Sequence, residues 1–319
     1  MVLLLSTLLI VASPTCNATS GPPRVAFIGN SILYYNDVPR LLETISAPGL
    51  THDCCLRGGA SLTSLLADGN GMRRIFGTEN GKLEDGTFDT GAPTVDELLV
   101  GDASPSWDYV VLHDFTQGPA RPETRHESAR SLKDTYGPLL ARTDAMPVFL
   151  ATHAYRVHNR GSEDLGAIPH EFTEKLSEGY KAYADALTAA LPERREVRIA
   201  PFGHAMAIVH DEKPKLWESL FNPDNFHLSP GGSLLEAAVL HQTIFGEPAP
   251  NALNRDDVST LFANARVMQP PNEPPLPFPT REEAAYLVEV AERAMRDKPR
   301  GYMRFLQRER SDFEVHDEV

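Results

Sequence analysis

Two kinds of hydrophobic patterning alternate along the chain. Short runs with little polar interruption occupy residues 24–28 (Arg-Val-Ala-Phe-Ile), 53–56, 108–112, 147–151 and 197–200. Runs of this length and continuity read as strands buried on both faces. Between them lie stretches with helical spacing. Residues 38–45 place Leu41, Leu42 and Ile45 on one face, 171–190 read as a long helix, and 234–245 as an apolar one. Strand alternating with helix predicts an α/β fold: a parallel sheet of about five strands with helices on both faces. Ligands of such sheets bind beyond the carboxyl ends of the strands. Candidate chemistry therefore belongs just after Ile28, Leu56, Leu112, Ala151 and Ala200.

The flanking segments read differently. Residues 67–105 are rich in Gly, Asp and Glu with weak periodicity, which predicts a surface insertion within a core domain of 24–246. Residues 247–279 are Pro-rich and predict an extended strap, the start of a final segment running over 247–319. Thr280-Arg281-Glu282-Glu283 has the form of a capping box, and the helix it opens puts Leu287, Val288, Ala291, Ala294 and Met295 on one face. At the start, residues 1–12 (MVLLLSTLLIVA) form an apolar run too short to cross a bilayer, which takes roughly 20 residues. It fits a signal peptide over 1–18 with small residues near Cys16-Asn17-Ala18, although it lacks a basic residue ahead of the apolar run. The expectation is a secreted protein with no stable membrane insertion. The sequon Asn17-Ala18-Thr19 falls at the expected cleavage point.

Composition narrows the function classes. The chain has 319 residues, 41% of them hydrophobic, enough for a large core and too many for a disordered protein. Its net charge of −14 repels phosphate backbones, so nucleic acid is an unsuitable partner. Three cysteines exclude a disulfide-stapled scaffold, and the adjacent Cys54 and Cys55 are expected as buried thiols. No phosphate-cradling glycine motif is present, and His153 with His158, or His204 with His210, lack the His-Glu-x-x-His spacing. Neither a cofactor nor a metal is expected. His153 and His204, just after the fourth and fifth strands, read as structural or pocket-lining residues.

Two strand-end segments carry the chemistry. Gly29-Asn30-Ser31 follows the first strand, where a hydroxyl sits beside free backbone N–H groups and the positive end of a helix. Far downstream, Asp224-Asn225-Phe226-His227-Leu228-Ser229 precedes the apolar helix. A nucleophilic serine needs an imidazole to take its proton, and the imidazole needs an acceptor to fix its tautomer. Asp224 and His227 supply both from one loop.

These blocks, with Gly58-Gly59-Ala60-Ser61-Leu62 after the second strand, resemble the SGNH (GDSL-like) hydrolases in their Gly-Asn-Ser variant, across roughly residues 24–246. The resemblance implies a flavodoxin-like three-layer α/β/α sandwich and ester hydrolysis through an acyl-serine. Ser31 matches the nucleophile, His227 the base and Asp224 its orienting acid, while the amides of Ser31 and Gly59 match oxyanion donors. One block departs: after Leu112 the chain reads His113-Asp114-Phe115-Thr116-Gln117, with Phe115 where the family carries a donor Asn. That leaves Thr116 or Gln117 to donate, or the role unfilled, and Gln117 is taken as the candidate. The expectation is a serine esterase acting on small acyl esters, acetyl foremost, of a small molecule or polysaccharide. The competing reading is a non-catalytic glycan-binding protein that kept the fold.

Overall fold

The computed structural model describes residues 21–46, 49–76, 90–192, 195–253, 256–270 and 273–296. The expected signal peptide, with Cys16 and the sequon, lies outside them. Five apolar segments form strands: β1 (Arg24–Gly29), β2 (Thr51–Leu56), β3 (Tyr109–Leu112), β4 (Met146–Leu150) and β5 (Arg198–Ala200). They make one open sheet in the order β2-β1-β3-β4-β5, every neighbouring pair parallel. This is the flavodoxin-type order, whose winding reverses between β1 and β3.

Successive strand residues face opposite layers, so both faces must be apolar. Val25 and Phe27 of β1, Val111 of β3 and Val148 of β4 pack into one layer; Ala26, Ile28, Val110 and Phe149 pack into the other. Helices cover both sides, giving the three-layer α/β/α sandwich. The first half contributes α1 (Ser31–Tyr34), α2 (Val38–Ile45), α3 (Leu62–Asp68), α4 (Met72–Phe76), α5 (Val95–Val100), α6 (Pro122–Ser131) and α7 (Gly137–Ala141). The second half contributes α8 (His170–Thr188), α9 (Phe202–Glu212), α10 (Pro214–Ser219), α11 (Pro230–Phe245) and α12 (Arg281–Arg296). Among the described residues, no helix is long and apolar enough to cross a membrane.

Cys54 and Cys55 are free, buried, and belong to opposite layers. Strand geometry thus keeps the neighbouring thiols apart, and burial pushes the Cys55 thiol up to about 12. The expected insertion over 67–105 needs revision. Residues 77–89 lie outside the described part, but Val95, Leu98 and Leu99 of α5 are buried under the sheet beside Trp107, whose Nε1–H donates to the Leu98 carbonyl. Three apolar positions in a six-residue helix are too few to show a period, yet enough to make this segment part of a layer. α11 also begins earlier than its apolar pattern. Pro230 sits in its first turn, where its fixed φ fits, and Ser229 caps the end.

The C-terminal segment belongs to the same core as the sheet: Leu287, Val288, Ala291 and Ala294 of α12 join the layer that holds α2, α9 and α11. The capping box is formed, with Thr280 Oγ1 accepting from the Glu283 N–H and Glu283 Oε2 accepting from the Thr280 N–H. The strap is fixed by a buried ion cluster. Asp37 Oδ2 lies 2.7 Å from Arg266 Nε and 2.6 Å from Arg40 Nη1, and Asp37 is 2% exposed. Burial pushes the Asp37 carboxyl up, but the two guanidiniums outweigh it and hold the group below its ordinary value. Such a group stabilises fully above the unfolded pKa, 3.8, and loses its contribution as pH falls through the lower folded one. Asp37→Asn is therefore expected to cost about 3 kcal/mol in urea unfolding at neutral pH. The difference from the parent protein should shrink as unfolding is repeated through the acid range.

Candidate active site

Gly29 ends β1 where a side chain would not fit: a Cβ would lie 2.9 Å from Leu33 Cδ1 and 3.0 Å from His113 Cβ. Asn30 then caps α1 and joins three loops. Its Nδ2 donates to the carbonyls of Ala60 and Asp114, both at 2.9 Å, and its Oδ1 accepts from the Ile32 N–H at 3.2 Å. The carboxamide thereby ties together the carboxyl ends of β1, β2 and β3. Ser31, 8% exposed, opens α1 at this junction, beside the switch point of the sheet.

The β2 loop brings Gly59 to the same rim. Gly59 has φ +69°, in a turn closed by the Ala60 N–H to the Arg57 carbonyl, a conformation that suits glycine. Ser61 is spent on a helix cap: its Oγ accepts from the Ser64 N–H at 3.0 Å. From the β3 loop, Asp114 is fully buried, accepting from the Leu62 N–H at 2.8 Å and from the Tyr183 hydroxyl at 2.5 Å. A cavity of about 230 Å³ lies between these loops, lined in part by Gly59, Asp114, Phe115 and Gly118.

The downstream loop builds a dyad. His227 Nδ1–H donates to Asp224 Oδ2 at 2.6 Å, while Asp224 Oδ1 accepts from the backbone N–H groups of Phe226 and His227. Burial raises the Asp224 carboxyl, and the bonds and charge of His227 outweigh this, leaving it below the ordinary value and ionised. An ionised carboxylate can only accept, which fixes the proton on Nδ1 and leaves Nε2 as the basic nitrogen. Nε2 is buried and has no hydrogen-bond partner among the described residues. Burial lowers the His227 pKa, opposed by Asp224, so the ring is neutral at pH 7.

The dyad loop is set against the connection between α1 and α2. The His227 ring stacks on Tyr35 with centroids 3.7 Å apart and planes 5° apart. The next residue, Asn36, donates from Nδ2 to the Leu228 carbonyl at 2.9 Å and accepts from the strap through the Met268 N–H at 3.2 Å. From the loop after β4, His153 Nε2–H donates to the Phe226 carbonyl at 2.9 Å, and Arg156 Nε donates to Asn225 Oδ1 at 2.8 Å. Asn225 itself stands at φ +72°, which asparagine tolerates.

Of the expected residues, Asp224 and His227 are joined directly, while Ser31 opens the helix that ends just before Tyr35, the residue stacked on the His227 ring. No hydrogen bond links Ser31 to His227, whose Nε2 is unpartnered among the described residues. Gln117 is otherwise engaged: its Nε2 donates to the Arg160 carbonyl at 3.0 Å and its Oε1 accepts from Arg121 Nη2 at 2.9 Å. Thr116 pairs with the Tyr155 hydroxyl at 2.7 Å. The position after β3 thus presents Phe115 to the cavity and no side-chain donor. His153 supports the dyad loop from beneath, a more definite task than lining a pocket. Tyr35 and Asn36 gave no sequence signal beyond a turn-forming Asn-Asp pair.

No protein-family model matches the chain, and no curated protein matches it by sequence. Among solved structures it is similar to "a putative SGNH hydrolase from Slackia heliotrinireducens", at 24% identity over 70% of this chain and 100% of that one, with a TM-score of 0.49. It is also similar to a DUF4886 family protein from Bacteroides uniformis, at 18% identity over 86% of this chain and 95% of that one, with a TM-score of 0.52. The second likeness shows a shared fold.

Asn30→Ala should expose what the junction depends on. It leaves the carbonyls of Ala60 and Asp114 without their donor, at an expected cost of about 2–3 kcal/mol. Amide hydrogen exchange should quicken around residues 57–62, with β4 and β5 unchanged.

Proposed function

We propose that this protein is an exported serine esterase that hydrolyses small acyl esters, acetyl groups on carbohydrate foremost, through an acyl-serine. One observation carries the reading: an imidazole oriented by an ionised carboxylate has a buried, unpartnered Nε2, and its ring stacks on Tyr35, the residue after the short helix that Ser31 opens. The Ser31 hydroxyl turns towards Nε2 of His227. Its oxygen attacks the ester carbonyl as Nε2 takes its proton. The amides of Ser31 and Gly59 hold the oxyanion. His227 returns the proton to the leaving alcohol, and water then repeats the sequence to release the acid.

The missing donor at Phe115 supports modest turnover, one such donor being typically worth about 10²–10³ in rate. The acidic chain and apolar leader support a soluble or polymeric substrate met outside the cell.

A fluorophosphonate probe tests the nucleophile. Labelling should vanish in Ser31→Ala and persist in Ser61→Ala, which loses only a helix cap. Well-folded parent protein that takes no label would favour a non-catalytic carbohydrate-binding role. On p-nitrophenyl acetate, Asp224→Asn should lower turnover by about 10³–10⁴ while the melting temperature stays nearly constant. The rate should rise with pH through a value below 6.5, the ordinary imidazole pKa, because burial lowers His227. Removing the Asp224 charge should move the residual activity's acid limb lower still. An acid limb above 6.5 in the parent protein would contradict the assignment of His227 as the base.

A further inference from the structure

Away from the dyad, His170, His210 and Asp211 converge, with donor atoms all within 4.8 Å of one another. His170 opens α8, while His210 and Asp211 lie in the last turn of α9, so the fold joins residues whose sequence spacing carries no metal motif. His170 Nε2 and His210 Nδ1 each lie 3.0 Å from the same oxygen, Asp211 Oδ1. In a tetrahedral site with bonds of about 2.0–2.1 Å, ligand atoms stand about 3.3–3.4 Å apart. The two short edges therefore need to open by only a few tenths of an ångström.

The rings are positioned by their surroundings. The imidazoles cross at 84° with centroids 5.8 Å apart, and His210 meets Trp217 edge-on at 4.9 Å. The side chains of His170 and Asp211 are more than half exposed, so an ion can enter from solvent and keep water on its outer side. Two imidazoles and one carboxylate suit zinc-class cations; magnesium and calcium prefer six or more oxygens.

The geometry points to a Zn²⁺-class cation site formed by His170, His210 and Asp211, with water completing the coordination. Each imidazole ligates through the nitrogen now facing Asp211, its proton moving to the other ring nitrogen. The site's place assigns it a bracing task. His170 terminates the loop from which Arg156 and Asn159 contact the dyad segment, the latter through Nδ2 to the Asp224 carbonyl at 3.2 Å. Asp211 leads through α10 into Phe221, where that segment begins. An ion here ties together two stretches that flank the dyad loop, and the inference stands independently of the esterase reading.

Isothermal titration of the full chain, free of any affinity tag and stripped by chelator, should show one Zn²⁺ bound per chain. The melting temperature should rise with Zn²⁺, and Co²⁺ should give the intense visible absorption of a tetrahedral site. His170→Ala and His210→Ala should each weaken Zn²⁺ binding by at least about tenfold. His126→Ala, at an exposed histidine elsewhere, should leave it unchanged. Circular dichroism of the metal-free variants matching the parent protein shows that the loss is local. Parent protein binding Zn²⁺ no more tightly than millimolar, undiminished binding in the double variant, or equal stabilisation by Mg²⁺ would overturn the site.

Discussion

The hydrogen bonds of the Asn30 carboxamide are the constraint on which the catalytic rim depends. Three parallel strands end side by side, and the loops leaving them carry polar backbone groups into a nearly dry junction. Asn30 uses both N–H bonds and its carbonyl there, on Ala60, Asp114 and Ile32. A capping aspartate would supply no donor for the two carbonyls. Asparagine at this position thus follows from the architecture of the junction: one side chain caps the helix carrying Ser31 and bonds to the loop carrying Gly59. The Ser31 hydroxyl and the Gly59 turn are thus positioned by the same group.

A second tie runs from the other side. Asn36 and Asp37, both at φ 54°, turn the chain so that one residue holds the dyad loop and its neighbour holds the strap. The Pro-rich C-terminal segment, which among the described residues contains no strand, therefore bears on the position of His227. Its influence passes through Arg266, Asp37, Asn36 and the Tyr35 ring.

The parts of this structure legible in sequence are those whose cause is local. β1, β3 and β4 announce themselves because burial on both faces requires uninterrupted apolar runs. The Thr280 box and the Asp224–His227 pair are legible because both partners lie within three residues. The rest depends on distance. α5 is too short for its three apolar residues to form a period. Gln117 looked available as a donor until Arg121 and the Arg160 carbonyl were brought to it. His153 acquired its role from a loop seventy-three positions away. The His170–His210–Asp211 trio has no linear signature because it exists only where two helix ends meet.

The short stretch from Ser31 to Asp37 has a consequence for how sequences of this kind can diverge. Within it, residue 31 opens the helix that Asn30 caps, 35 meets the imidazole, 36 the following loop and 37 the strap. Each contact depends on its place along a turn, so a single inserted or deleted residue would shift all four registers together. Length there is fixed more strictly than identity. Homologues should accordingly keep the count between Ser31 and the strap anchor Asp37 constant.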